Sequence, residues 1–190
     1  MIDLDNIKDF ATDGPEGWSV FGNAAEFAAL PPTHQEQIIF LDKKATKFIY
    51  SFVENAGLIT GGGWDPFGKG NFAVVEECDH LFQNDESRRL LKKWLYRRGI
   101  PFSSWVFLLT CHDQVIYATW KMVIKYSHDI FPVDDTIVFD KTLNWCLLYY
   151  HENQMFFGKN NVYDTAADEM KMVTLNERKK KYPKFRHPYL

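Results

Sequence analysis

Cysteine is scarce in this chain of 190 residues: there are three, Cys78, Cys111 and Cys146. Their number is odd, their spacing is wide and no CxxC pair occurs. That excludes a disulfide framework and reads as reduced, mostly buried thiols in a cytosolic protein. Long apolar runs are also missing, and none approaches the ~18 residues that a membrane span needs. The opening residues, MIDLDNIKDF, are acidic and carry no apolar core, so a secretory signal is not expected. Charge of one sign is weak as well: 22 Lys and Arg face 25 Asp and Glu, a net −3 that names no partner by itself.

Aromatic residues are plentiful. Hydrophobic residues make up 46% of the chain and aromatic ones 16%, a composition that folds rather than stays disordered. The length fits a single domain with a real core. Charge is distributed unevenly. Residues 1–60 hold nine acids against four bases, whereas residues 161–190 hold four acids against seven bases. Such asymmetry suits ordinary solvated surface, self-association or an oppositely charged partner.

Four regions follow from the pattern along the chain. Residues 1–32 read as irregular cover. Residues 33–100 read as mainly helical, with a first helix capped by Thr33, Glu36 completing a capping box, and Ile38, Leu41, Ala45, Phe48, Ile49 and Phe52 on one face. Gly57 ends it. A short strand is expected near Phe72, and a second helix capped by Asp85 carries Leu90, Leu91, Trp94 and Leu95 inward, with Gly99 past its end. Residues 101–160 read as the sheet-forming core. Two β-prone runs around the His112-Asp113 turn make a hairpin. A helix from about Thr119 to Ile130 follows, Asp134-Asp135 turns the chain, and three strands come next, divided by residues 141–144 and by Glu152-Asn153. Residues 161–190 read as a C-terminal helix and a basic tail. The expected fold is therefore α+β: a β-β-α-β-β-β antiparallel sheet with a helix on one face, preceded by two helices and followed by one.

No motif carries chemistry. The glycine-rich stretch GGGWDPFGKG, residues 61–70, lacks the Ser or Thr that a P-loop places after its Gly-Lys, and it follows a helix rather than a strand. It reads either as a loop that offers Trp64 and Phe67 to a partner or as one that folds its rings onto the core. Cys78 and His80, or Cys111 and His112, are spaced too closely for zinc ligand pairs, so no metal or other cofactor is expected. Cys111, His112 and Asp113 are the one local cluster for an enzyme, without a nucleophile elbow to support it. The carboxylate pairs Glu76-Glu77 and Asp134-Asp135 diverge in extended chain, so they suit an acidic surface better than shared acid–base work. Arg178, Lys179, Lys180, Lys181, Lys184 and Arg186, with Tyr182 and Phe185 between them, form a modest basic patch. The acidic remainder of the chain opposes a nucleic-acid partner.

The run Val115-Ile116-Tyr117-Ala118-Thr119-Trp120, the helix after it, Asp134-Asp135 and residues 145–158 together resemble a loose group of small bacterial α+β proteins. Some members of that group sit beside secreted toxins and look like immunity proteins. The resemblance implies a non-enzymatic cytoplasmic binding protein that neutralises a cognate toxin in a tight complex. It supplies no catalytic residues. The surface residues expected to meet such a partner are Trp64, Asp65, Asp134, Asp135 and Glu152.

Overall fold

The computed structural model describes residues 2–14, 21, 23–60, 63–67, 70–79, 82–110, 114–162, 170, 173, 174, 176, 177, 180 and 181. In chain order, a 3-10 turn (Ile7–Phe10) leads into β1 (Ala11–Thr12), α1 (Ala24–Ala28), α2 (Pro32–Gln35), β2 (Ile38–Leu41) and α3 (Lys43–Asn55). Then come β3 (Ile59–Thr60), β4 (Gly63–Trp64), β5 (Phe72–Cys78) and α4 (Asp85–Tyr96). The last part holds β6 (Trp105–Thr110), β7 (Gln114–Thr119), α5 (Trp120–Lys125), α6 (Ser127–Ile130), β8 (Thr136–Phe139), β9 (Trp145–Tyr150) and β10 (Gln154–Asn161). Met170, Val173, Thr174, Asn176, Glu177, Lys180 and Lys181 are also helical.

The fold is α+β. Eight strands form one antiparallel sheet in the order β1-β2-β7-β6-β8-β9-β10-β5. The expected β-β-α-β-β-β core supplies five of them, and β1, β2 and β5 come from the first hundred residues. The sheet is covered on both faces rather than one. Val106, Leu108, Val138 and Leu147 point to the side packed by Leu91 and Leu95 of α4 and by Trp120 and Val123 of α5. Their neighbours in the strands, Phe107, Leu109, Ile137 and Leu148, point to the side packed by Ala45, Ile49 and Val53 of α3. The period-two alternation of a pleated strand makes this possible when every residue in the run is apolar.

The first helix differs from its expected limits. Residues 38–41 are a buried strand, and α3 starts only at Lys43. Asp42 caps α3: its Oδ1 accepts from the backbone N–H groups of Lys44 (2.9 Å) and Ala45 (2.8 Å). Thr33 caps nothing; it lies inside the one-turn α2, whose N-cap is Pro31 with no side-chain bond. Gly57, at φ 70°, ends α3 in the left-handed region that favours glycine. Likewise Asn84, not Asp85, caps α4, and its side chain and that of Ser87 satisfy each other's backbone N–H groups in a capping box. Asp85 and Glu86 then occupy the first turn, where negative charge suits the helix dipole.

The far end of α4 is tied to the sheet by Arg98. Its guanidinium lies 4.1 Å from the Trp94 ring centroid and 2.6 Å from Glu76 Oε2 on β5. Lys159 of β10 holds the other oxygen of Glu76 at 3.3 Å. The Arg98 hydrogen bond, aided by Lys159, keeps the Glu76 carboxyl below its usual range. Glu76 thus pins β5 to both β10 and α4.

Candidate functional site

The antiparallel register brings several segment ends to one end of the sheet. Thr110 of β6 lies opposite Thr136 of β8 and Gln114 of β7, Tyr149 of β9 also lies opposite Thr136, and Cys78 closes β5 beside Met155 at the start of β10. Asp134 and Asp135 enter β8 from a 3-10 turn (Phe131–Val133) that is anchored by the fully buried Phe131. Asp134 Oδ1 accepts from the Asp135 backbone N–H at 2.8 Å. Asp135 Oδ1 reaches across to the β9–β10 turn, accepting from the His151 backbone N–H at 2.7 Å and sitting 2.9 Å from His151 Nδ1. Only 18% of the Asp135 side chain is exposed. It works as a strut between two turns as well as a surface charge.

Glu152 stands exposed on that same β9–β10 turn. Two residues on, the Gln154 amide donates to Glu77 Oε1 (3.4 Å) and to Asp79 Oδ1 (3.2 Å) at the end of β5. Glu77 is exposed; the loss of some hydration beside its neighbours, and then the adjacent Asp79 charge, push its carboxyl up from its usual range. Asp134, Asp135, Glu152, Glu77 and Asp79 therefore form an acidic rim along one sheet end. Glu76 and Glu77 diverge, as strand alternation requires, and only Glu77 joins the rim. Glu77 and Asp79 were not among the expected contact residues. The signal for them was the Glu76-Glu77 pair, which needed its β10 partner to acquire a position.

Trp64 is half-buried on the α3 side, packed edge-on against Tyr50 at 6.0 Å, while Asp65 is exposed. Tyr50 donates its hydroxyl to the Thr110 carbonyl at 2.6 Å. Phe67 packs against Phe72 (5.5 Å) and Phe156 (6.2 Å). The described rings of the glycine-rich loop thus lie on the core, and Gly61, Gly62, Gly68 and Lys69 lie outside the described residues.

Cys111, His112 and Asp113, the cluster considered for an enzyme, also lie outside the described residues, as do His80 and most of the basic tail. The two described cysteines are free thiols. Burial raises both, Cys146 strongly, so neither is an activated nucleophile. Among the described residues, no group of three or more His, Cys, Asp or Glu side chains could hold a metal ion. No helix among them is long and apolar enough to cross a membrane.

A cleft of about 770 Å³ opens between β1, β2, α3 and the start of β7. Phe40, Leu41 and Val115 contribute apolar lining. Its charged lining residues, Asp42, Lys43, Lys47 and Glu54, balance each other. The cleft is large enough for a small ligand but favours neither sign of charge.

Comparison with family models, with curated proteins and with solved structures gives no match.

Proposed function

We propose that this chain is a non-enzymatic bacterial binding protein, cytoplasmic in location, which neutralises a cognate protein toxin by occluding a basic surface on it. One observation carries the reading: Asp134, Asp135 and Glu152 share a single sheet end with Glu77 and Asp79. A charged patch of one sign speeds encounter with an oppositely charged partner and selects against wrong ones. Turns braced by a rigid sheet hold that patch in one geometry, which lowers the ordering cost of binding.

The test is co-expression with the products of adjacent genes, scoring both rescue from toxicity and recovery of a complex. The exposed pair Glu152→Lys and Asp79→Lys is expected to slow association by about tenfold at low salt, with the difference shrinking as salt rises. Absence of both complex and rescue ends this reading. So does a complex indifferent to charge reversal.

The cleft beside α3 supports a second reading, a small-molecule site. Thermal-shift screening of a metabolite set against Lys47→Glu and Ser51→Phe variants separates the two, because neither substitution touches the acidic rim.

A further inference from the structure

β5 is the last strand of the sheet, with β10 on one side. Among the described residues nothing pairs with its other side. It is seven residues long, whereas β1 at the opposite edge has only two. An edge strand of that length offers a row of backbone donors and acceptors to any extended chain. Sheets usually blunt such edges with proline, bulges or charged side chains, lysine above all; here the charges are the acidic Glu76 and Glu77. Residues 72–78, FAVVEEC, contain no proline and no lysine. Val74 and Val75 are 38% and 47% exposed, and as strand neighbours they point to opposite faces, so each face of the edge carries accessible apolar surface.

The charges on the edge are not equivalent. Glu76 is neutralised within the molecule by Arg98 and Lys159. Glu77 and Asp79 both accept from the neutral amide of Gln154 and lie against each other, so that Asp79 helps to raise the Glu77 carboxyl; neither is paired with a Lys or Arg among the described residues. Val75, Glu77 and Asp79 alternate along one side of the chain. Their complement is a strand with an apolar residue and two basic residues at period-two spacing.

We propose that the outer edge of β5 is a strand acceptor, which takes up an extended, alternating basic and apolar segment of a partner protein as a further strand of the sheet. Main-chain hydrogen bonds supply affinity in this mode of recognition, and alternate side chains supply specificity. The choice of a basic partner rests on the function proposed above. A second copy of this chain fits the edge less well. Its own strand, residues 72–79, carries no Lys or Arg to meet Glu77 and Asp79 in any register.

The experiment uses the full chain, isotope-labelled, and follows its amide resonances. Three synthetic heptapeptides serve as probes: alternating Lys and Val, alternating Glu and Val, and the Lys peptide with a central proline. The Lys–Val peptide is expected to shift the amides of residues 72–79 and slow their exchange, leaving Ala11 and Thr12 unchanged. The proline and Glu peptides are expected to bind at least about tenfold more weakly. Glu77→Lys with Asp79→Lys is expected to remove the preference for the Lys peptide. Equal binding of the proline peptide overturns the proposal, because simple charge attraction then suffices. So do shifts confined to other strands. Concentration-dependent self-association that Val75→Lys abolishes also overturns it, since a second copy is then the occupant. The peptide arm needs no variant to fold and no toxin. Peptide binding without toxin rescue keeps the acceptor edge and discards the neutraliser. Rescue without peptide binding does the reverse.

Discussion

Gly158 lies under two aromatic rings. A Cβ built there would fall 2.5 Å from Phe67 Cε1 and 2.7 Å from Phe72 Cγ, both closer than real atoms approach. Gly158→Ala is therefore expected to lower stability by about 1–3 kcal/mol through overpacking. The measurement is a urea midpoint at unchanged slope, and Phe67→Ala in the same chain should recover part of the loss. Little of this was legible. The sequence marks Gly158 as the end of a hairpin, but the rings that need its missing side chain belong to residues 67 and 72. Asp135 makes a similar point. An Asp-Asp pair reads as solvated turn, yet the His151 backbone N–H uses its carboxylate to join two turns.

At the scale of elements, caps are the cleanest test of where helices begin. Asp42→Ala is expected to cost about 1 kcal/mol, because two backbone donors of α3 lose their acceptor. Thr33→Ala, at the start suggested by the capping-box pattern, is expected to stay within about 0.5 kcal/mol of the parent. Equal losses in thermal or urea melts would refute that boundary. The misplacement has a physical origin. Ile38 and Leu41 are spaced as a helix face would space them and run into the true helical face at Ala45, Ile49 and Val53. A four-residue apolar run fits a buried strand equally well, and only the partner Ile116–Ala118 in β7 decides between them. Strands β6 to β10 were readable because turn residues bound each run. β1 is two residues long and exposed, and nothing local announces it.

At the scale of the molecule, two contacts couple stability to pH. His34 on α2 sits 2.7 Å from the Tyr126 hydroxyl, at the α5–α6 junction. Burial first, and then Lys125 and Lys121, hold its imidazole below the ordinary value of about 6.5. The folded chain thus binds fewer protons at His34 than the unfolded chain. The stabilising contribution is complete above that ordinary value and is lost as pH falls through the folded one. Glu76 acts in the same direction further down. Its carboxyl is depressed by Arg98 and Lys159, so its contribution is present above the ordinary ~4.3 and lost as pH falls through the lower folded value. Thermal melts between neutral and acid pH are expected to show both losses. His34→Gln should remove the upper one, and Glu76→Gln the lower. A melting temperature flat across the upper window would exclude the His34 contribution.

The pairing of β5 with β10 also orders events in time. Residues 72–78 leave the ribosome long before residues 154–161, yet β10 is the one strand they join among the described residues. A nascent chain that has reached Tyr150 can assemble β2, β7, β6, β8 and β9, but it must hold β5 unattached, with Val74 and Val75 in water. Such long-range pairings form slowly and expose sticky intermediates while they wait. Translation stalled before Gln154, or a stop codon there, would therefore release a protein whose loose strand seeks neighbours indiscriminately. A stop codon after Asn161 would leave every strand of the sheet with its partner.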